Sequence, residues 1–215
     1  MLTLYPGDIF LSQSQDGKLG PIIRWFQGRP GDPADFNHTG LVTRAGVLPS
    51  SNSLQHPVIT EALWHVRRGS LWEFYGPPAG EKRPALAIYR PYTLDSAACT
   101  RLAGRAEEYV GRRYAWWGLG LQGADWWLTK KAGHEVYAFR HLDLGNRVYC
   151  SQLVGRVYAA EGLTFGVPEG AVPNPDDIED YCRTHPNKYK LVFGPALLSA
   201  QTVYFYGPDR LALAV

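Results

Sequence analysis

The sequence predicts an α+β protein, and three observations carry that prediction. Strand-type apolar segments cluster between Ile9 and Tyr89. Helical spacing of apolar residues takes over from Asp95, and short strand-type segments return in the tail. With 215 residues, 45% of them hydrophobic, the chain suits one domain spanning residues 1–215 with a sizeable core. Its 23 glycines and 16 prolines imply many loops.

The elements follow in order. Ile9-Phe10-Leu11 comes after a Pro6-Gly7-Asp8 turn and reads as a strand. Pro21 to Phe26 reads as a short helix with Ile22, Ile23, Trp25 and Phe26 apolar, and Gly28 to Asp35 as a loop. Thr39 to Arg44, Val58 to Val66 and Ser70 to Tyr75 read as strands, with a polar turn at Ser50 to Gln55, and Ala85 to Tyr89 adds another strand. Asp95 to Val110 is the clearest helix: Ala98, Leu102 and Ala106 recur at helical spacing, Asp95 or Ser96 can cap it, and Gly111 can close it. Cys150 to Ala160, closed by Gly162, is a second helix. A third starts at Asn174-Pro175, with Asn as cap and Pro at the first position, and runs to about Tyr181. Lys190 to Phe193 and Thr202 to Tyr206 are further short strands.

Charged residues make up 20% and the net charge is +2, which points away from nucleic acid and from disorder. The N-terminus lacks a basic region followed by an apolar one, so no signal peptide is expected. No apolar run reaches the ~18 residues a bilayer span needs. A cytoplasmic or virus-particle location fits, as does export without a signal. Cys99, Cys150 and Cys182 give an odd count without paired spacing, so neither a disulfide framework nor a zinc ribbon is expected. There is no Gly-rich phosphate loop with a following Lys, no Gly-x-Ser-x-Gly elbow and no His-Glu-x-x-His. His134 and His141 lie seven apart, a poor metal spacing.

What remains is a cysteine and a base. Tyr149-Cys150-Ser151-Gln152 ends a polar stretch and opens the helical run Leu153, Val154, Val157 and Tyr158. A thiol at a helix start meets free amide groups and the positive end of the helix dipole, which favour the nucleophilic thiolate. Far upstream, His38 stands at the mouth of a strand in Asn37-His38-Thr39-Gly40-Leu41-Val42. A Cys and a His distant in sequence are the minimum for a nucleophile and its base. Glu61 is a charged residue inside the apolar Val58-Ile59-Thr60-Glu61-Ala62. Left unpaired it would be costly, so a partner is expected, with His38, Arg67 and Arg68 as candidates. His56 and His65 are alternatives to Glu61 in such a network. Cys99 reads as a core residue on the inner face of the Asp95 helix, and Cys182, at the end of the third helix, as structural. Trp116, Trp117, Trp126 and Trp127 read as core packing, with a ligand- or partner-facing role as the alternative, and Arg112-Arg113 and Lys130-Lys131 as solvated faces, with an anionic polymer or lipid headgroup as the alternative contact.

In this order the residues resemble the circularly permuted branch of the NlpC-type papain-like superfamily, which includes YiiX/YaeF-like amidases and lecithin retinol acyltransferase. Gly7-Asp8-Ile9-Phe10-Leu11 is similar to that family's opening strand, and Asn37 to Val42 to its histidine strand. Thr60-Glu61-Ala62 is similar to its third catalytic position. Tyr109-Val110-Gly111-Arg112-Arg113-Tyr114 followed by Tyr149 to Val154 is similar to its helix–loop–nucleophile segment, and Val172 to Asp177 to the segment after it. The likeness spans roughly residues 5 to 182. It implies a permuted papain-like fold, with an antiparallel sheet packed against helices and the nucleophile at a helix N-terminus. It implies Cys150 as nucleophile, His38 as base, Glu61 as orienting group and Tyr114 beside the nucleophile; that mechanism needs no metal or organic cofactor. The aromatic insert between Tyr114 and Cys150 departs from the family pattern and is expected to wall or cover the cleft.

The expected function is a cysteine peptidase or amidase acting on peptide or peptidoglycan amide bonds through a thioester. Two alternatives stand beside it. One is a thioesterase or acyltransferase with an acyl lipid against the Trp-rich insert. The other is a non-catalytic module, such as a phage-tail component with virion assembly partners.

Overall fold

A computed structural model of the chain describes residues 1–13, 34–48, 53–76, 85–133, 136–142 and 145–194. The expected helix at Pro21 to Phe26 and the strand at Thr202 to Tyr206 lie outside the described residues, as does most of the Gly28 to Asp35 loop. Strands β1 (Leu2–Leu4), β2 (Ile9–Ser12), β3 (His38–Arg44) and β4 (Gly46–Leu48) come first. Next are β5 (Val58–Ala62), β6 (Val66–Ser70), helix α1 (Leu71–Tyr75), strand β7 (Leu86–Pro91) and helix α2 (Ser96–Glu107). Strand β8 (Arg113–Tyr114), helix α3 (Trp116–Ala132), strand β9 (Arg147–Val148) and helices α4 (Cys150–Ala159) and α5 (Pro175–Thr184) follow, and β10 (Tyr189–Phe193) ends the described chain.

Six strands form one sheet in the order β10-β7-β2-β3-β5-β6, and every neighbouring pair is antiparallel. Strand alternation sorts its side chains onto two faces. Ile9, Leu11, Leu41, Ala62 and Val66 join one core cluster with Leu102 and Ala106 of α2, Leu153, Val157 and Tyr158 of α4, and Ile178 of α5. Phe10, Val42, Ile59 and Ile88 meet Leu71 of α1 and Leu4 and Leu48 of the β1–β4 pair on the other. The architecture is therefore α+β, a large antiparallel sheet packed against helices.

Helix α4 matters most for position. Each of its fully buried apolar side chains contributes on the order of 2 kcal/mol. The Tyr158 hydroxyl donates to the carbonyl of Gly7, pinning α4 to the turn before β2. Gly7 has φ +86°, a conformation that favours glycine at that turn. At Gly155 a Cβ would lie 2.6 Å from Pro173, so the glycine lets the following segment pass close to the helix. Helix α5 starts with a capping box between Asn174 and Asp177 and with Pro at its first turn, and it runs on to Thr184.

Two strand assignments need correction. Val58 to Val66 is a hairpin: β5 and β6 pair with each other through Ala62 and Val66 around Leu63-Trp64-His65. Ser70 to Tyr75 is the helix α1, because the Ser70 hydroxyl accepts from the amides of Trp72 (3.2 Å) and Glu73 (3.4 Å). The Ser-x-x-Glu spelling of Ser70 to Glu73 is the helix-start signature that the aromatic content obscured. The Trp-rich insert forms α3. The core reading of its tryptophans holds poorly, since Trp116, Trp117 and Trp127 are 42%, 76% and 50% exposed.

Candidate active site

Sheet register builds the first half of the site. Gly40 of β3 stands opposite Glu61 of β5, and Glu61 stands opposite Arg67 of β6. His38 lies two residues before Gly40, hence on the same face. Gly40 is required there: a Cβ would sit 2.6 Å from the Phe10 ring and 2.8 Å from the Thr60 carbonyl. The result is a row of side chains across three adjacent strands. His38 Nε2 lies 2.7 Å from Glu61 Oε2, while the Arg67 guanidinium meets Glu61 Oε1 through Nε at 2.7 Å and a terminal nitrogen at 2.6 Å. The Tyr75 hydroxyl, carried by α1, donates to Glu61 Oε2. Arg67 also covers the Phe74 ring at 3.7 Å.

Helix α4 supplies the second half. Cys150 is its first residue, and Tyr149, the residue before it, makes no side-chain cap; the first turn also holds no acid. Donors at that helix end are thereby left for another acceptor. The Cys150 sulfur takes hydrogen bonds from the backbone amides of Thr39 and Ser151 and lies within bonding reach of the His38 ring. Since His38 Nε2 belongs to Glu61, the nitrogen that serves Cys150 is Nδ1. The Tyr114 hydroxyl of β8 reaches the same sulfur. Cys150, His38, Glu61 and Tyr114 are all buried.

The electrostatics follow from these contacts. Burial pulls the His38 imidazole down, but hydrogen bonds and charge from Cys150 and Glu61 outweigh it and push it up to about 10. Burial raises the Cys150 thiol, yet the His38 bond and charge and the two backbone amides bring it below its ordinary value. For Glu61, burial is outweighed by His38, Tyr75 and Arg67, and the carboxyl is held low. Tyr114 and Tyr75 are pushed up, by burial first and then by the neighbouring Cys150 and Glu61 respectively, so both hydroxyls stay protonated as donors. The state this favours is a thiolate beside an imidazolium.

Cys150, His38, Glu61 and Tyr114 are thus brought into one connected cluster. Glu61 takes two of its three candidate partners, His38 and Arg67, while Arg68 pairs instead with Glu107 at 3.0 Å. His56 bonds the Ser70 hydroxyl and His65 is exposed beside Arg113, so neither substitutes for Glu61. Tyr75 was not foreseen; recognising the helix start at Ser70 would have placed it under the sheet. The three cysteines are free thiols, Cys182 buried and Cys99 half-buried against Gly7. Among the described residues, no group of three or more His, Cys, Asp and Glu side chains is placed to hold a metal ion. No described helix is long and apolar enough to cross a membrane.

No protein-family model matches the chain, and no curated protein matches it. Among solved structures it is similar to one described as the metalloprotein YiiX from Escherichia coli O157:H7, DUF1105. Identity is 20%, the match covers 89% of each chain, and the TM-score is 0.47.

Proposed function

We propose that the protein is a cysteine-nucleophile amide hydrolase of the permuted papain-like type, with peptide or peptidoglycan amide bonds as its substrate class. One observation carries this reading: the Cys150 sulfur, at an uncapped helix start, contacts an imidazole whose other nitrogen is held by a buried carboxylate. That is the arrangement of an activated nucleophile, its base and an orienting group.

In this reading the Cys150 thiolate attacks the amide carbonyl and a sulfur–carbon bond forms. The oxyanion takes the backbone amide of Cys150 and the Tyr114 hydroxyl as donors. The carbon–nitrogen bond breaks as the His38 imidazolium gives its proton to the leaving amine. The neutral imidazole then takes a proton from water, which attacks the thioester. Acid product and thiolate separate, and the imidazolium is restored. Glu61 keeps the ring oriented and stabilises its positive charge throughout.

A second reading, acyl transfer or thioester hydrolysis on lipids, is favoured by the aromatic run from Tyr114 to Trp116 and Trp64, whose ring centroids are 4.7 and 4.9 Å apart. The test is purified chain incubated with muropeptides, peptide amides and lipid esters, beside Cys150→Ala. Cleavage of an amide substrate that Cys150→Ala abolishes supports the first reading. Turnover of lipid esters alone supports the second, and no acyl-enzyme on Cys150 with any substrate would overturn both.

A further inference from the structure

Helix α3 is built inside out. Its polar residues Gln122 and Asp125 are buried, 4% and 0% exposed, together with Gly118. Gln122 lies beside the Tyr149 hydroxyl, and Asp125 accepts from the amides of Phe139 (3.0 Å) and Arg140 (3.1 Å). Polar anchors therefore fasten the helix to the segment leading to Cys150. The opposite side presents Trp116, Trp117 and Trp127 to solvent. A surface helix ordinarily does the reverse, burying its apolar stripe. Trp64, 74% exposed in the β5–β6 turn, packs against Trp116 with the two rings tilted and extends the patch onto a second element.

Among the described residues of α3 and the β8–β9 pair, the solvent-facing charges are of one sign. The only acid in α3 is Asp125, which is turned inward. At the helix end Lys131 lies 3.8 Å over the Trp127 ring and Lys130 5.3 Å from that of Trp126, and both lysines are exposed. Beside Trp116, exposed Arg113 and Arg147 stand directly opposite one another in the β8–β9 pair. Like charges so placed repel, and among the described residues neither makes an ion pair with a carboxylate.

We propose that the outer face of α3, with Trp64, is a docking surface for a lipid bilayer carrying anionic headgroups. The tryptophan rings would lie at the headgroup–acyl boundary, where their apolar bodies leave water and their N–H groups stay solvated. The lysines and arginines would meet lipid phosphates. Docking would set the surface tryptophans beside Tyr114, and so beside Cys150, against the bilayer. The proposal does not rest on the chemistry of Cys150.

The test uses the full chain with sucrose-loaded phosphatidylcholine vesicles, with and without phosphatidylglycerol. Expected results are co-sedimentation with the anionic vesicles, a blue-shifted tryptophan emission, and quenching by brominated lipids in the unaltered protein. Trp117→Ala with Trp127→Ala should abolish binding. Lys130→Ala with Lys131→Ala should weaken it by about fivefold per lysine, and high salt should do likewise. Cys150→Ala should bind as the parent does, which separates this proposal from the hydrolase reading. The proposal is overturned if the protein stays in the supernatant with both vesicles. It is equally overturned if brominated lipids do not quench, or if the chain self-associates through the patch and Trp127→Ala disrupts that association instead.

Discussion

His38 Nε2 and Glu61 Oε2 stand 2.7 Å apart on adjacent strands, closed off from water. Glu61 in turn holds Arg67 and the Tyr75 hydroxyl, so the carboxylate has four donor contacts in place of solvent. This pair commits His38 Nδ1 to Cys150, and the behaviour of the thiol follows from it.

The pH dependence of the Cys150–His38 pair has a defined shape. The His38 contribution to stability is complete below an unfolded value of ~6.5 and is lost as pH rises through about 10. The Cys150 contribution is complete above ~8.5 and is lost as pH falls through its lowered folded value. Between ~6.5 and ~8.5 the two trends oppose one another, the cysteine contribution growing with pH and the histidine contribution falling. The stability advantage over Cys150→Ala should therefore plateau there and decline on both sides, as read by urea unfolding across pH. Iodoacetamide should alkylate Cys150 at a steady rate through neutral pH. In His38→Gln the rate should rise only in the alkaline range.

Replacing Glu61 separates charge from packing. Glu61→Ala strands the Arg67 guanidinium and leaves the imidazole unheld, a loss of roughly 3–5 kcal/mol for one member of a buried pair. Glu61→Gln keeps the shape and should cost less, yet it still lowers the His38 value and moves Cys150 alkylation to higher pH. Equal unfolding midpoints for Glu61→Ala and the parent would contradict the buried network.

Tyr75 acts through Glu61 and is a positioning residue. Tyr75→Phe removes one donor while keeping the ring packed against Phe10, at 5.2 Å between centroids. A cost of about 1 kcal/mol is expected. The specific readout is the alkylation profile of Cys150, which should shift in the same direction as in Glu61→Gln but less. A purely structural Tyr75 would leave that profile where it is.

Gly40 sets the spacing of the row. In Gly40→Ala the new methyl would press on the Phe10 ring and the Thr60 carbonyl. Of these only the ring can yield, so a loss of about 1–3 kcal/mol is expected. His38 should be displaced with its strand, and slowed alkylation of Cys150 at neutral pH would report it.

Local signals made much of this protein legible in one dimension. The capped helices at Asp95 and Asn174, the alternating strands around Ile9 and Thr39, and the thiol at the head of α4 are short-range matters of propensity and capping. Glu61 announced itself by being a charge where alternation called for an apolar side chain. The helix α1 was hidden because aromatic residues favour strands while a single serine hydroxyl decided the turn. Helix α3 was hidden for a different reason. Three of its tryptophans face out while Gln122 and Asp125 face in, so periodicity has no ordinary core to report. Partnership was beyond the sequence altogether: whether Glu61 would choose His38 or Arg67 depended on strand register, which aligned both with it. Contact between Cys150 and His38 depended on where α4 packs on the sheet. Sequence alone determined which groups were available; only packing across long loops decided which of them share a proton.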